Sequence, residues 1–307
     1  MSDSNIIDIV LSADDRYAPY AAVVMVSALE NAHEPSRFRF HMLTTGFGED
    51  VKDGLQGVVA RYGAEIMFSI VSPCEIDSLA SGRFGIAALL RLYMQDYLPP
   101  DCKRVIYLDC DVLVMEDLAI LWGEALGDNI IAAGMDLCGA SISRRRKNSE
   151  SYFNSGVLLV DLVAWRDERV SEKSVEYLKA FNDSQYPDQD ALNHVLEGRW
   201  KRLAVKWNFQ PTAYAAMEKR YSHLDGYFEE MEAAVISPAI VHFIGRVKPW
   251  HPECAHPLAA DFIRYSLDTP WPINAHQLRE NLPWEKRIRL WFKRPKQIRR
   301  RNLTKDL

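Results

Sequence analysis

The sequence predicts an α/β fold with a mixed, mostly parallel central sheet, and three observations carry that expectation. Short apolar runs alternate with helical periodicities through the first 110 residues. Several of the runs, Val105-Ile106-Tyr107-Leu108 among them, lack the polar alternation of a half-exposed strand and suit strands covered on both faces. The chain also has 307 residues, 48% of them hydrophobic, which is enough for a sizeable core.

In order, Ile6–Leu11 reads as a first strand, ending at Ser12-Ala13-Asp14-Asp15. Residues 18–31 follow with a helical pattern (Ala21, Val24, Met25, Ala28, Leu29). Phe38–Leu43 alternates as a strand, Glu49–Tyr62 reads as a helix, Glu65–Val71 as a strand, Ile86–Tyr97 as a helix and Val105–Leu108 as a strong strand. Beyond this the rhythm loosens. Strands are expected at Ile130–Met135, Phe153–Val160 and Ala239–Phe243, and helices at Trp165–Phe181 and Asp188–Leu196. From Pro249 on, prolines interrupt the pattern, so a catalytic domain is expected over 1–250 and an extension over 251–307.

Residues 1–11 are too acidic, and their apolar stretch too short, for a secretory signal, and no apolar run approaches the roughly 18 residues of a membrane span. Five cysteines without C-x-x-C spacing suit reduced thiols in a cytoplasmic protein. The net charge of −5 is divided unevenly: residues 284–307 carry ten Lys/Arg and two acids, a net +8, which leaves −13 on the preceding 283.

In an α/β sheet, ligands bind beyond the carboxyl ends of the strands. The run Tyr107-Leu108-Asp109-Cys110-Asp111 stands at such an end, with carboxylates at i and i+2 on one side of an extended chain. Hard oxygen ligands so placed suit Mg²⁺ or Mn²⁺ with diphosphate oxygens; a solvated acidic pair is the plainer alternative. In His242-Phe243-Ile244-Gly245-Arg246-Val247-Lys248-Pro249-Trp250, Gly245 allows close backbone approach to a phosphate and Lys248 supplies charge. An imidazole joining the carboxylates would favour Mn²⁺ over Mg²⁺. Phe153-Asn154-Ser155-Gly156 and Asp188-Gln189-Asp190 offer either hydroxyl-matching polar groups or, for the aspartates, only helix caps.

Taken in order, Ser-Ala-Asp-Asp, Tyr-Leu-Asp-Cys-Asp, Phe-Asn-Ser-Gly, Asp-Gln-Asp and His-x-x-Gly-x-x-Lys-Pro-Trp resemble glycosyltransferase family 8 over about residues 6–256. The closest likeness is to bacterial lipopolysaccharide core α-galactosyl- and α-glucosyltransferases. The resemblance implies a GT-A type nucleotide-sugar-binding fold and a retaining enzyme. Its donor would be UDP-galactose or UDP-glucose, and its acceptor a lipid-linked oligosaccharide, a protein or small polyol being the alternative acceptor within the family.

Position by position, the resemblance implies Mn²⁺ (Mg²⁺ being the alternative) on Asp109, Asp111 and His242. Asp14 would take the uracil imide proton and Tyr17 would stack on the base. Gly245 and Lys248 would meet the phosphates, and Arg91, Asp109, Asn154, Asp188 and Gln189 would surround the donor sugar, with Asp136 near the acceptor. Arg16 departs from the pattern, standing where the family often has Asn. Retention ordinarily calls for a carboxylate nucleophile. Gln189 occupies the candidate position and an amide is a poor nucleophile, so front-face attack is expected, with the leaving phosphate accepting the proton.

Trp284, Ile288, Trp291 and Phe292 fall on one helical face, with basic residues on the rest. A basic amphipathic helical extension of this kind suits peripheral attachment to an anionic membrane surface. The acidic body argues against nucleic acid as a partner. Arg144-Arg145-Arg146-Lys147 would lie in a loop that either grips acceptor phosphates or is simply solvated.

A metal-dependent nucleotidyltransferase would carry an early Gly-rich basic loop, which Ser12-Ala13-Asp14-Asp15 is not. A non-catalytic glycan-binding module would have little use for the carboxylates, histidine and lysine together.

Overall fold

The computed structural model describes residues 6–72, 89–137, 152–181, 186–219, 222–280, 282–286 and 288. Arg144–Lys147, residues 86–88 of the expected helix at 86–97, and most of the expected C-terminal helix lie outside the described residues.

The strands are β1 (Ile7–Ser12), β2 (Phe38–Thr44), β3 (Glu65–Ile70), β4 (Arg104–Leu108), β5 (Val112–Val114), β6 (Ile131–Met135), β7 (Phe153–Asp161), β8 (Trp200–Arg202) and β9 (Ile240–His242). Seven of them form one sheet in the order β3-β2-β1-β4-β7-β6-β8, and β5 pairs with β9 apart from it. The β3-β2-β1-β4 half is parallel throughout. β7 is antiparallel to both its neighbours, β4 and β6, and β8 is parallel to β6. The expected mixed, mostly parallel sheet is the one observed.

Side-chain alternation splits the interior in two. Ile7, Ile9 and Leu11 of β1 join Phe38, Phe40, Ile106 and Leu108 in one core, which the helices Ala18–Glu30, Glu49–Ala60 and Ala259–Ser266 cover. Val10, Leu43, Val105, Tyr107 and Leu158 form the other, beneath Leu162–Asp167, Val170–Ala180 and Pro187–Val195. With both faces covered, the strands read as unbroken apolar runs. Past residue 250 the chain still feeds the first core: Trp250 stacks on Tyr20 at 3.6 Å, and Phe262 packs edge-on against Phe243.

Two expected helices differ. Trp165–Phe181 is two helices, not one: the first begins at Leu162, where the Asp161 carboxylate accepts from the Val163 and Ala164 amides. The chain then breaks at Arg169, which adopts φ 54°. Trp165 Nε1 donates to Ser171 Oγ at 3.0 Å and holds the corner. The described end of Ile86–Tyr97 is a 3₁₀ turn, Leu90–Tyr93, running into one short α-helix, Met94–Tyr97, with Pro99-Pro100 beyond.

Two antiparallel pairings assemble the site. Leu108 opposes Val157, so the start of β7 lies beside the end of β4, and the Asp109 amide donates to the Gly156 carbonyl at 2.9 Å. Val112 opposes His242, so β9 delivers its histidine beside Asp111, and the Phe243 amide donates to the Asp111 carbonyl at 2.9 Å. Motifs far apart in sequence meet because these strands run against the parallel grain.

Candidate active site

Asp109, Asp111 and His242 each offer one ligand atom, all within 4.8 Å of one another. His242 Nε2 lies 3.7 Å from Asp109 Oδ2 and 3.2 Å from Asp111 Oδ1. Each carboxylate is engaged by a cation through its other oxygen. Asp109 Oδ1 accepts from Arg91 Nη2 at 2.6 Å and from the Tyr107 hydroxyl at 3.1 Å. Asp111 Oδ2 takes a very short bond from Lys248 Nζ, which also donates to the Phe243 carbonyl at 2.8 Å.

The two carboxylates titrate in opposite directions. Burial, together with the neighbouring Asp111 charge, raises Asp109 despite Arg91. Burial also acts to raise Asp111, but Lys248 and His242 outweigh it and hold that group far below the usual carboxylate range. Two hard oxygens and one imidazole nitrogen, left facing one another by partners on their far sides, fit a divalent cation of the Mn²⁺ or Mg²⁺ type.

Arg91, 4% exposed, is the hinge between this cluster and the next. Its Nη1 donates to the Ser155 carbonyl at 2.8 Å, its Nε faces Asp188 Oδ2 at 3.3 Å, and its guanidinium lies over the Tyr107 ring at 4.6 Å. Asp188 Oδ2 also accepts from Ser155 Oγ at 3.0 Å. Asp190 accepts from the Tyr152 hydroxyl at 2.6 Å. Tyr186 is the N-cap of that helix and makes no side-chain cap bond, so neither aspartate serves as the cap. Asn193 ties the same helix to β7 by exchanging bonds of 2.8 Å with both backbone groups of Phe153.

Gln189 Oε1 accepts from Asn154 Nδ2 at 3.1 Å and from the Ser155 amide at 3.2 Å, and Gln189 Nε2 donates to Asp136 Oδ2 at 2.8 Å. Asp136 thus joins the sugar-pocket candidates directly.

The base-side candidates lie at the carboxyl end of β1. Asp14 Oδ1 accepts from the Tyr17 amide at 3.0 Å, while Arg16 Nη2 occupies Asp14 Oδ2 at 2.9 Å. Tyr17 is 41% exposed and meets Trp250 edge-on at 6.2 Å. Burial raises its hydroxyl pKa, while the charges of Lys248 and Asp111 act on it in opposite directions. Gly245 adopts φ 91°, a left-handed conformation suited to glycine, with open space where a Cβ would stand.

Two amides escaped the sequence reading. Asn208 Oδ1 accepts from His242 Nδ1 at 3.0 Å. Gln210 clamps the end of β6 by donating to the Met135 carbonyl at 2.9 Å and accepting from the Leu137 amide at 3.0 Å. The available signal was their spacing: amides at i and i+2 between Trp207, Phe209 and Pro211 point to one side of an otherwise apolar stretch.

The Glycosyl transferase family 8 model matches residues 8–254. The chain belongs to glycosyltransferase family 8. It is 32% identical over 279 residues to General stress protein A of Bacillus subtilis, covering 88% of this chain and 96% of that one. It is 25% identical over 296 residues to lipopolysaccharide 1,3-galactosyltransferase of Salmonella typhimurium, covering 91% and 85%. Among solved structures, the galactosyltransferase LgtC in complex with donor and acceptor sugar analogs superposes with a TM-score of 0.75 at 32% identity, covering 92% of this chain and 99% of that one. The fold is of GT-A type, and the resemblance to lipopolysaccharide core transferases read from the motifs holds.

Proposed function

We propose that this family 8 member is a retaining hexosyltransferase that moves galactose or glucose from a UDP-sugar to a hydroxyl of a lipopolysaccharide-type, lipid-linked core acceptor, with Mn²⁺ as its cation. The observation that carries the reading is the arrangement of Asp109, Asp111 and His242, in which each carboxylate is tethered by a cation on one oxygen and turned toward the imidazole with the other.

Asp109 Oδ2, Asp111 Oδ1 and His242 Nε2 would hold the cation, which when bound offsets charge on a diphosphate. Lys248 stands ready to share its ammonium between Asp111 and a phosphate, adding charge stabilisation where UDP leaves. Arg91 fixes Asp109 and Asp188 on either side of it, and Asn154, Asp188 and Gln189 line the sugar side.

Gln189 Oε1 already accepts two hydrogen bonds, and Asp188 Oδ2 lies between Ser155 Oγ and Arg91. That supports front-face attack over a covalent intermediate. The acceptor hydroxyl bonds to the anomeric carbon as the bond to the phosphate oxygen breaks, and its proton passes to that departing oxygen.

The test is donor hydrolysis over a panel of UDP-hexoses, with and without Mn²⁺. Turnover of one UDP-hexose only when Mn²⁺ is present is expected. Metal-independent UDP binding with no turnover of any member would replace this reading with a binding module.

Attachment to the cytoplasmic face of a membrane through the C-terminal segment is part of the same proposal. It is supported by the exposure of Trp284 (67%) and Ile288 (47%), one helical turn apart. No helix among the described residues is long and apolar enough to cross a membrane. The full chain should co-sediment with anionic vesicles and lose that property when Trp284, Trp291 and Phe292 are changed to Ser; equal sedimentation would remove the anchor.

A further inference from the structure

Asn208 is 2% exposed and touches both halves of the site. Its Oδ1 accepts from His242 Nδ1, and its Nδ2 donates to Asn154 Oδ1 at 2.9 Å. Backbone groups fix the direction of these bonds. The Gly156 amide donates to Asn154 Oδ1 at 3.1 Å, so that oxygen accepts, and Asn154 Nδ2 donates onward to Gln189 Oε1. The Ser155 amide likewise fixes Gln189 Oε1 as an acceptor.

A carboxamide offers donors at one end and an acceptor at the other. Asn208, donating to Asn154, therefore has only its oxygen for His242. The imidazole must carry a proton on Nδ1, so in its neutral form the Nε2 lone pair faces Asp109 and Asp111.

Two glycines border the pair. A Cβ on Gly134 would stand 2.6 Å from Asn208 Cβ, and one on Gly156 would stand 2.1 Å from His242 Cε1. Both glycines make room for this pair.

We propose that Asn208 is a positioning residue that locks His242 in the cation-binding tautomer and, through Asn154 and Gln189, couples the cation site to the sugar pocket. This rests on the reading of Asp109, Asp111 and His242 as a divalent cation site. Polar groups behind a metal-bound histidine commonly set its orientation and basicity. Here the same amide also reaches the sugar side, which gives one residue two separable effects.

The substitution Asn208→Asp separates them. It keeps an acceptor for His242 Nδ1 but sets a second oxygen against Asn154 Oδ1, where a donor stood. Mn²⁺ is titrated into the full-length protein, with and without UDP, and the free ion is followed by electron paramagnetic resonance; donor hydrolysis is measured in parallel.

For N208D, Mn²⁺ affinity within about threefold of wild type is expected, with turnover reduced roughly 10–100-fold. N208L, which removes both bonds, should weaken Mn²⁺ binding by about 10–100-fold. If N208D loses Mn²⁺ binding as fully as turnover, or loses neither, the coupling is wrong, and N208D decides this even if N208L fails to fold. Equal Mn²⁺ binding by wild type and H242A would instead overturn the cation-site reading beneath it.

Discussion

Asp8, His41 and Cys102 lie as close together as Asp109, Asp111 and His242, with ligand atoms within 4.8 Å in both clusters, yet their surroundings differ. Asp8 sits near the amino end of β1, buried on the sheet face that carries Val10. Its two oxygens are both taken: Oδ1 by Arg39 Nε at 2.6 Å and His41 Nε2 at 2.7 Å, and Oδ2 by Arg39 Nη2 at 3.1 Å. Burial and the Asp8 charge push the Cys102 thiol up to about 12, so it stays protonated and is a poor ligand. At the carboxyl end of β4, each aspartate has only one oxygen tied to a cation. Residue types alone do not separate a structural cluster from a functional one; the carboxylate oxygens that no arginine or lysine occupies do.

The contrast can be broken or sharpened by substitution. The largest effect is expected for Asp111→Asn, which removes one oxygen facing His242 and the counter-ion of Lys248. Donor turnover should fall by roughly 10²–10³-fold or more with the fold intact, read by steady-state kinetics beside circular dichroism. Near-normal turnover would place the reaction elsewhere.

Next is Gly156→Ala, whose Cβ would drive into His242. We expect Mn²⁺ affinity to drop about 10–100-fold, measured by calorimetry. Unchanged affinity would mean that His242 is not needed in its observed place.

Asp8→Asn should do the opposite, leaving turnover alone and lowering stability by about 2–3 kcal/mol in denaturant unfolding. A broken buried pair usually costs more, but Arg39 is partly exposed. Burial works to raise the Asp8 pKa, but His41 and Arg39 overcome it and hold it below 3.8. The stability Asp8 contributes is therefore fully present above pH 3.8 and is lost as pH falls through its native value, so wild type and D8N should converge in that acid range. A constant gap down to the lowest measurable pH would contradict the pairing.

The smallest effect belongs to Arg16→Asn. Arg16 is exposed and pairs with Asp14, the proposed imide acceptor. Freeing that carboxylate should strengthen UDP binding by less than about fivefold, since exposed pairs are weak. A large loss of affinity would make Arg16 itself a nucleotide contact.

The parallel half of the sheet and the acidic strand end were legible because each is written locally, as apolar runs and an i, i+2 carboxylate pair. The meeting of Asp109 with Gly156, and of Asp111 with His242, was not written locally: it depends on antiparallel pairings across long separations. β5 and β8 have three residues each, too few for a periodicity, and β8 is the polar run Trp200-Lys201-Arg202. The break at Arg169 carries no glycine or asparagine to announce it. Asn208 belongs to no motif, and its importance arises only from what β9 sets beside it. The order of the motifs, read as a family resemblance, supplied what local pattern could not.

If the carboxylates past β4, and not those of the buried cluster, hold a divalent cation for a nucleotide diphosphate, calorimetric titration of UDP into wild type, D111N and D8N, each with and without Mn²⁺, will separate them. Mn²⁺ is expected to tighten UDP binding in wild type and D8N alike and to have no effect in D111N. Identical UDP affinity with and without Mn²⁺ in wild type, or loss of the Mn²⁺ effect in D8N, would contradict that assignment.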